Sequence, residues 1–282
     1  MQQTDGHTLA LIAAKGRLMG LDMVYNCASG HLGGSFSAMD ILATLYFKVL
    51  KNLDLKNPRA PQRDRFVLSK GHCTPALYPI LAQRGFFSEE TLTTFRHIDG
   101  HMSGHAEMHH VPGVDMSTGS LGQGISTAVG MALAAKMDGA SQRVYTLLGD
   151  GELAEGQVWE AVMSAAKYQL DQLCVVVDVN GLQIDGKTAD VMPTEPLDEK
   201  FAAFGCHVIK ADGHDFAALE AAFAAAAAHK GSPSVILAAT IKGKGVSFME
   251  NDAGWHGKPP NEAQYQEARA ELVAELAELE GK

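Results

Sequence analysis

Two polar side chains stand where buried strands are expected to end, and their types indicate metal chemistry. The apolar run 144–148 leads directly to Asp150, which has a glycine on either side, and the apolar run 173–177 is soon followed by Asn180. Glycines at a strand end let the backbone approach a phosphate closely, but a carboxylate between them would repel it unless a cation lay between the two. The pattern therefore predicts a divalent metal that holds a diphosphate group.

The spacing of these two residues supports a shared site. Asp150 and Asn180 are 30 positions apart, which fits one strand–helix–strand unit and places both at the carboxyl ends of parallel strands. A carboxylate, an amide oxygen and a backbone carbonyl of Gly181 or Leu182 are hard ligands suited to Mg²⁺, which keeps phosphate oxygens in its other positions. For the Gly-Asp-Gly motif taken alone, a structural strand-to-turn aspartate remains an equal alternative.

Histidine placement is the second chemical feature. Six of the 12 histidines directly follow a glycine, more than the glycine content would produce by chance: His7, His31, His72, His101, His105 and His214. A Gly-His pair presents a protonatable ring from a backbone that can approach a ligand, which suits hydrogen bonding to hydroxyls and phosphate oxygens. For any one of them taken alone, a surface or structural histidine is the more common case.

Hydrophobic spacing predicts the elements that position these residues. Helices are expected over residues 9–25, 37–50, 74–84, 89–96, 125–136, 156–168 and 215–229, with a last helix at about 261–280. Strands are expected over 144–148, 173–178, 206–211 and 234–241. The alternation predicts an α/β fold with a mainly parallel central sheet whose two faces are both covered.

Composition limits the possible functions. The 282 residues are 46% hydrophobic, enough for a substantial core, and 33 acidic residues outnumber 23 basic ones. This balance argues against a nucleic-acid or anionic-membrane surface, and residues 1–8 contain no apolar signal core, so we expect a soluble cytoplasmic protein. The four cysteines show no Cys-x-x-Cys spacing and are interpreted as reduced thiols rather than as a zinc site or disulfide framework.

Seven sequence blocks, in their order, resemble the transketolases, a family of thiamine-diphosphate enzymes. The blocks are Ser29-Gly30-His31, 63–72 (RDRFVLSKGH), 118–124 (TGSLGQG), Gly149-Asp150-Gly151 with Glu155-Gly156, 180–186 (NGLQIDG), 212–215 (DGHD) and Trp255-His256-Gly257. The resemblance covers nearly all of this chain but only the N-terminal, diphosphate-binding half of the family. It implies a three-layer thiamine-diphosphate-binding fold, a single domain over 1–282, and a transferase that moves a two-carbon ketol unit from a ketose phosphate to an aldose phosphate.

The resemblance also implies roles for individual residues. The metal, Mg²⁺ with Ca²⁺ or Mn²⁺ as substitutes, would be bound by Asp150, Asn180 and Leu182. Thiamine diphosphate would contact His72, Gly119, Ser120, Leu121, Gly151, Asn180, Ile184, Lys242 and His256. The catalytic residues would be His31, His105 and His256. A flexible surface side chain is the alternative for Lys242; His7 and His214 keep a structural interpretation, and His101, His109 and His110 receive no role.

The missing half of the family has its own implication. The glutamate that hydrogen-bonds the aminopyrimidine of the cofactor belongs to that half, so the resemblance implies a partner subunit with the pyrimidine-binding and C-terminal domains, in a two-fold heterotetramer acting on sugar phosphates. Glu155 resembles a carboxylate that communicates across the family's subunit interface, and a helix N-terminal acid is the equal alternative. A specialised ketolase for an unusual ketose and a non-catalytic assembly protein with a relic site also remain open.

Overall fold

Short runs of aliphatic and β-branched residues form the central sheet in the computed structural model, which describes residues 5–281. The strands are β1 (Arg65–Leu68), β2 (Val144–Gly149), β3 (Leu173–Val179), β4 (Leu182–Gln183), β5 (Gly186–Lys187), β6 (His207–Asp212) and β7 (Ser234–Ala239). Five of them form one sheet in the order β1-β2-β3-β7-β6, in which every neighbouring pair is parallel, while β4 and β5 form a small antiparallel hairpin.

Helices precede, connect and follow these strands. They are α1 (Gly6–Asn26), α2 (Gly33–Thr44), α3 (Thr74–Arg84), α4 (Gln123–Met137), α5 (Gly156–Lys167), α6 (Thr188–Val191), α7 (Leu197–Ala203), α8 (Phe216–Ala228) and α9 (Glu262–Glu280). Short 3₁₀ turns occupy Glu89–Thr94, Gly151–Ala154 and Ala253–Trp255. Helix α9 begins with a capping box between Asn261 and Gln264 and packs along α1.

Side chains of the sheet alternate between two buried faces. In β3, Cys174 and Val176 belong to the core that the sheet shares with α1, α2, α3 and α8. Val175 and Val177 belong to the core that it shares with α4, α5 and α7. Because both faces are covered, the strands appear in the sequence as continuous apolar runs. The chain is thus a three-layer α/β fold with a parallel central sheet, as the sequence predicted.

Several elements differ from the sequence-based prediction. Strand β1 was not predicted, because its four residues lie inside a polar motif that was interpreted only for ligand binding. The helix predicted over 37–50 begins at Gly33 and gives way to a π-helical turn at Leu45–Val49. Glycine is a poor helix former, but a Cβ at Gly33 would lie 2.9 Å from the carbonyl oxygen of Trp255, so close packing explains the residue. The short helices α6 and α7 were also missed.

The four cysteines are free thiols. Cys73 and Cys174 are buried in the core, while Cys27 and Cys206 are partly buried. Over residues 5–281, no helix combines the length and apolar character that crossing a membrane requires.

Candidate active site

The carboxyl ends of β2 and β3 bring Asp150 and Asn180 to one edge of the sheet. Asp150 accepts hydrogen bonds from the N–H groups of Gly151 (to Oδ1, 2.8 Å) and Gly181 (to Oδ2, 2.5 Å), so its carboxylate spans from its own turn to the turn after β3. The amide oxygen of Asn180 accepts from the N–H of Leu182 at 3.1 Å. The two side chains therefore share one polar turn region, as their spacing predicted.

Asp178, which the sequence analysis did not single out, orients Asn180. It is fully buried at the end of β3 and accepts hydrogen bonds from Ser37 Oγ (2.6 Å), Lys70 Nζ, Thr240 Oγ1 and Asn180 Nδ2 (3.2 Å). Burial opposes ionisation, but the Lys70 ammonium prevails and lowers the pKa of Asp178. Asp178 is consequently an anion that accepts a hydrogen bond from Asn180 Nδ2. This contact fixes which side of the Asn180 amide carries the nitrogen and which carries the oxygen.

Two carboxyl groups with opposite pKa shifts therefore lie close together. Burial and the negative charge of Asp178 raise the pKa of Asp150 to about 6. The carbonyl of Gly181 accepts from the N–H of Thr188 at 2.9 Å, so this candidate backbone ligand is already engaged. Residues 5–281 contain no cluster of three or more His, Cys, Asp or Glu side chains with metal-binding geometry. Because Asp178 already accepts four hydrogen bonds, the remaining donors at this edge are the Asp150 carboxylate together with amide and carbonyl oxygens.

Four histidines from separate parts of the chain meet above this edge. The ring centre of His31 lies 5.1 Å from that of His72, 5.8 Å from that of His105 and 5.5 Å from that of His256, and His72 lies 5.0 Å from His256. Burial is the main cause that lowers the pKa of all four, to about 4 for His31 and about 3 for His256. These imidazoles are neutral near neutral pH, and the buried Nδ1 of His31 has no hydrogen-bond partner among residues 5–281.

Lys242 lies beside this cluster and is not a surface side chain. It is only 2% exposed, and its Nζ is 3.1 Å from Nδ1 of His256. Burial and the nearby Lys70 ammonium lower the pKa of Lys242. The preceding residue is fixed by His214, whose Nε2 accepts the N–H of Ile241 at 2.9 Å. His214 thus has a structural contact that also positions the lysine.

The segment 119–121 forms another wall of the site. A Cβ at Gly119 would lie 3.3 Å from His105 Cδ2, so the histidine packs directly on this segment. Ser120 is exposed, and Ile184, which is 63% exposed, stands at the open side of the cavity. One cavity brings together His72, Leu121, Asp150, Gly151, Asn180, Leu182, Ile184, Lys242 and His256. His31 and His105 lie beside this cavity, because the His31 ring contacts the rings of His72, His256 and His105.

Glu152 holds three walls of this cavity together, and no sequence pattern revealed it. The side chain is 2% exposed; its Oε1 accepts from Ser69 Oγ (2.5 Å) and the N–H of Gly122 (2.8 Å), and its Oε2 accepts from the N–H of Gly149 (3.1 Å). Burial raises the pKa of Glu152. Two of its donors are 83 and 30 positions away, so only the folded chain shows the contact.

The remaining residues considered from the sequence lie outside the cavity. His7 Nε2 is 2.8 Å from the carbonyl oxygen of Leu279, a structural contact between chain ends, and His101 stacks on His110 at 5.7 Å between ring centres on the surface. Glu155 is exposed at the start of α5, where its side chain makes no capping hydrogen bond.

A larger cleft of about 830 Å³ lies at the carboxyl ends of β6 and β7. Its two lysines are engaged by carboxylates, Lys210 with Asp198 at 2.5 Å and Lys244 with Glu250 at 3.4 Å. It contains none of the residues to which the sequence assigned a cofactor, metal or catalytic role, so we place the chemistry at the smaller cavity with its buried cations and carboxylates.

Family, sequence and structure comparisons with known proteins all lead to the same family. The family model described as "Transketolase, thiamine diphosphate binding domain" matches residues 9–278. The chain is similar to the 6-deoxy-6-sulfo-D-fructose transketolase subunit SqwG of a Clostridium species, with 46% identity over 261 residues that cover 93% of this chain and 94% of the relative. It is also 41% identical over 273 residues to one of the subunits of the apulose-4-phosphate transketolase of Phocaeicola vulgatus, covering 97% and 96% of the two chains.

A solved structure shows how far the similarity extends in longer proteins. The transketolase of Campylobacter jejuni superimposes with a TM-score of 0.88 at 31% identity. The match covers 96% of this chain but 45% of that one, so this chain spans less than half the length of the solved enzyme.

Proposed function

This chain belongs to the transketolase family as its thiamine-diphosphate-binding half, and on that basis we propose that it is the N-terminal subunit of a split transketolase. The observation that carries the proposal is the convergence of four neutral histidines on the edge that holds Asp150 and Asn180. The near full-length similarity to two relatives named as transketolase subunits supports it. The enzyme would transfer a two-carbon ketol unit from a ketose phosphate to an aldose phosphate.

We propose that Asp150, Asn180 and the Leu182 carbonyl bind Mg²⁺, with Ca²⁺ or Mn²⁺ as substitutes. Oxygen donors of this kind suit a hard divalent cation. The raised pKa of Asp150 supports the assignment, because a cation beside two close carboxylates would offset the burial and repulsion that disfavour its charge.

The cavity also fits the cofactor. Near Asp150 it is polar and cationic, with Lys70, Lys242 and His72 in its wall, whereas Leu121 and Ile184 make another part of the wall apolar. This arrangement suits a molecule with a diphosphate at one end and rings at the other. We assign the diphosphate to His72, Lys242, His256, the Gly151 amide and, through the metal, Asn180. We assign the rings to Gly119, Ser120, Leu121 and Ile184.

The histidines would serve the substrate. Bound thiamine diphosphate supplies a carbanion that can add to a ketose carbonyl. We propose that neutral His31 and His256 donate N–H hydrogen bonds to the oxygen that becomes negative and return protons to it, while His105 holds a sugar hydroxyl. The unpartnered Nδ1 of His31 is a polar atom available for such a contact.

We further propose that activity requires a second polypeptide. In transketolases the glutamate that activates the aminopyrimidine lies in the half that this chain does not match, and the cavity is open beside the exposed Ile184. A C-terminal subunit would complete the site, in an arrangement that two-fold symmetry doubles to a heterotetramer. We expect this cytoplasmic enzyme to act on sugar phosphates in carbohydrate metabolism, including pentose phosphates.

A specialised donor is the second candidate function. Two similar subunits carry the names of enzymes for 6-deoxy-6-sulfo-D-fructose and apulose 4-phosphate, which are unusual ketoses. A panel assay of the reconstituted pair with xylulose 5-phosphate, fructose 6-phosphate and these two sugars would distinguish the candidates. Turnover of the unusual ketoses without turnover of the common donors would exclude the general transketolase.

Calorimetry tests the site itself. Titration of the reconstituted pair with thiamine diphosphate in the presence of Mg²⁺ should show binding that Asp150→Ala or Asn180→Ala weakens by at least about a hundredfold, because the diphosphate loses its metal bridge. Binding that neither substitution changes would show that the metal site is assigned to the wrong residues. Intact cofactor binding without turnover of any sugar would favour the non-catalytic assembly protein.

A further inference from the structure

The block 212–215 (DGHD) does not line the cavity, yet it places a histidine against the residues that follow β7. The Asp212 carboxylate accepts the N–H of His214 at 2.8 Å, which closes a tight turn. The N–H of Gly213 donates to the carbonyl of Ala239 at 2.7 Å, and a Cβ at Gly213 would fall 2.9 Å from that oxygen. Glycine therefore permits the close approach that brings His214 to the end of β7.

His214 joins a buried carboxylate to a backbone N–H. Its Nδ1 lies 2.6 Å from Oδ2 of Asp40, and its Nε2 accepts the N–H of Ile241 at 2.9 Å. Burial opposes the ionisation of Asp40, but the charge of Arg17, whose Nη2 is 2.6 Å from the same oxygen, prevails and lowers the pKa of Asp40. Because a carboxylate only accepts and a backbone N–H only donates, the His214 ring is neutral and carries its proton on Nδ1.

The residue after Ile241 is a lysine in an electrostatically unfavourable position. Lys242 is 2% exposed, and burial together with the nearby Lys70 ammonium lowers the pKa of Lys242. Both ammonium groups line the same cavity and repel each other. The lysine therefore keeps its place only if the backbone that carries it is held.

Hydrogen bonds from distant parts of the chain hold this backbone on both sides of the lysine. On the C-terminal side, Gly33 and Asn251 form backbone hydrogen bonds of 2.9 Å with segment 242–243. On the N-terminal side, the imidazole of His214 accepts the N–H of the preceding residue. The histidine is thus a support that a side-chain substitution can remove while the backbone hydrogen bonds remain.

Lys242 in turn determines which nitrogen of His256 carries a proton. The lysine Nζ lies 3.1 Å from Nδ1 of His256. An ammonium group only donates, so Nδ1 accepts and the proton of the neutral ring lies on Nε2. Displacement of the lysine would release this constraint on the ring.

We propose that His214, held by Asp40, is a positioning residue of the cofactor site that acts through Ile241 on Lys242 and so keeps the proton of His256 on Nε2. The inference rests on the proposed function, which assigns the diphosphate to Lys242 and His256. Neither Asp40 nor His214 lines the cavity, so an effect of the histidine on cofactor binding has to pass through the lysine.

Calorimetry of the reconstituted pair with thiamine diphosphate and Mg²⁺ tests the first part of this relay. His214→Leu should weaken cofactor binding by at least about tenfold, because both hydrogen bonds of the ring are lost. His214→Gln should retain most of the affinity, since its amide can donate to Asp40 and accept from Ile241. Asp40 keeps Arg17 as a partner in both variants, so we expect both to fold.

A double-mutant cycle shows whether the histidine acts through the lysine. In a Lys242→Met background, His214→Leu should weaken cofactor binding by less than about twofold, because the group that the histidine positions is already absent. His229→Leu is the matched control. His229 is also part-buried and hydrogen-bonded, with its Nε2 2.8 Å from Ser232 Oγ, but it does not line the cavity, so its substitution should leave cofactor affinity unchanged.

NMR of the imidazole nitrogens tests the second part and needs neither cofactor nor partner. In the chain by itself, we expect His256 to be protonated on Nε2 in the wild type, in His214→Gln and in His229→Leu. His214→Leu should instead give a mixture of the two neutral forms of His256.

Three results would overturn the proposal: unchanged cofactor affinity in His214→Leu, an equal loss from this substitution with and without Lys242→Met, or an unchanged His256 tautomer in His214→Leu. The second result would make His214 a structural residue that acts independently of the lysine. A wild-type pair that binds no thiamine diphosphate would count against the proposed function, and the His256 tautomer would then decide the role of His214.

Discussion

At the scale of single residues, the fold disfavours the negative charge that the proposed metal site requires of Asp150. Burial and the neighbouring Asp178 raise its pKa from the ordinary 3.8 to about 6, so the free protein resists the charge that a metal needs. An unfolded chain does not impose this cost. In the free protein, the folded state therefore holds a proton that the unfolded state has already lost between these two pH values.

This proton difference predicts a measurable effect of Asp150→Asn. Because the folded state binds more protons, stability of the free wild-type protein should fall as pH rises from about 4 to about 6, and the variant should lack this decline. Near pH 7 the variant should be more stable by about 1–3 kcal/mol, since part of the gain is offset by a lost hydrogen bond to a backbone N–H. Urea denaturation without divalent metal across this pH range measures the difference; a variant that is less stable at every pH would contradict it.

His31 predicts a separation between catalysis and cofactor binding. The proposed function places its ring at the substrate, so His31→Ala should lower kcat by about 10²–10⁴-fold while thiamine-diphosphate affinity changes little. His101→Ala is the matched control, because His101 is exposed and contacts only His110 among the rings of residues 5–281. Steady-state kinetics and calorimetry on both variants provide the comparison. Loss of cofactor binding with an unchanged kcat would place His31 at the diphosphate instead.

At the scale of elements, the site depends on how the ends of β1 and β2 are joined to the start of α4. Glu152 makes that connection, because a single buried carboxylate accepts hydrogen bonds from Ser69, Gly122 and Gly149. The hydrogen bond from the Gly122 N–H anchors the residue that follows the segment 119–121, which packs against His105. The cavity wall is therefore fixed by a residue that we do not expect to touch the cofactor.

Removal of this carboxylate should weaken both the fold and the site. Glu152→Ala leaves buried donors unpaired, so we expect a loss of about 2–4 kcal/mol in the free energy of unfolding and at least about tenfold weaker thiamine-diphosphate binding. Glu160→Ala, which removes a charge from an exposed position of α5, should change neither. Denaturation and calorimetry test the pair. Unchanged cofactor affinity in Glu152→Ala would show that segment 119–121 keeps its place without the glutamate.

Local sequence patterns predicted the elements that follow simple rules. The apolar runs of β2 and β3 identified buried parallel strands, and their polar ends located Asp150 and Asn180. Strand β1 was too short and too close to a recognisable motif to be separated from it. Glu152 was missed for another reason: its hydrogen bonds join segments that are distant in the sequence, so they become visible only in the folded chain.

At the scale of the whole molecule, the chain contains one side of a site. Two buried lysines, a strand-end carboxylate, His72 and His256 line the cavity, and the rings of His31 and His105 lie beside it. The cavity nevertheless stays open beside Ile184, and the chain covers only 45% of a solved transketolase. In the family, the group that activates the cofactor belongs to the other half. Under the proposed function, cofactor binding and substrate contacts belong to this polypeptide and cofactor activation belongs to a partner subunit.

The most direct test of this division is the rate of ketol transfer with Mg²⁺ and thiamine diphosphate, measured for this chain by itself, for its C-terminal partner by itself and for the two mixed. We predict turnover only in the mixture, with a rate that saturates near equal molar amounts of the two chains. Turnover by this polypeptide without its partner would contradict the division.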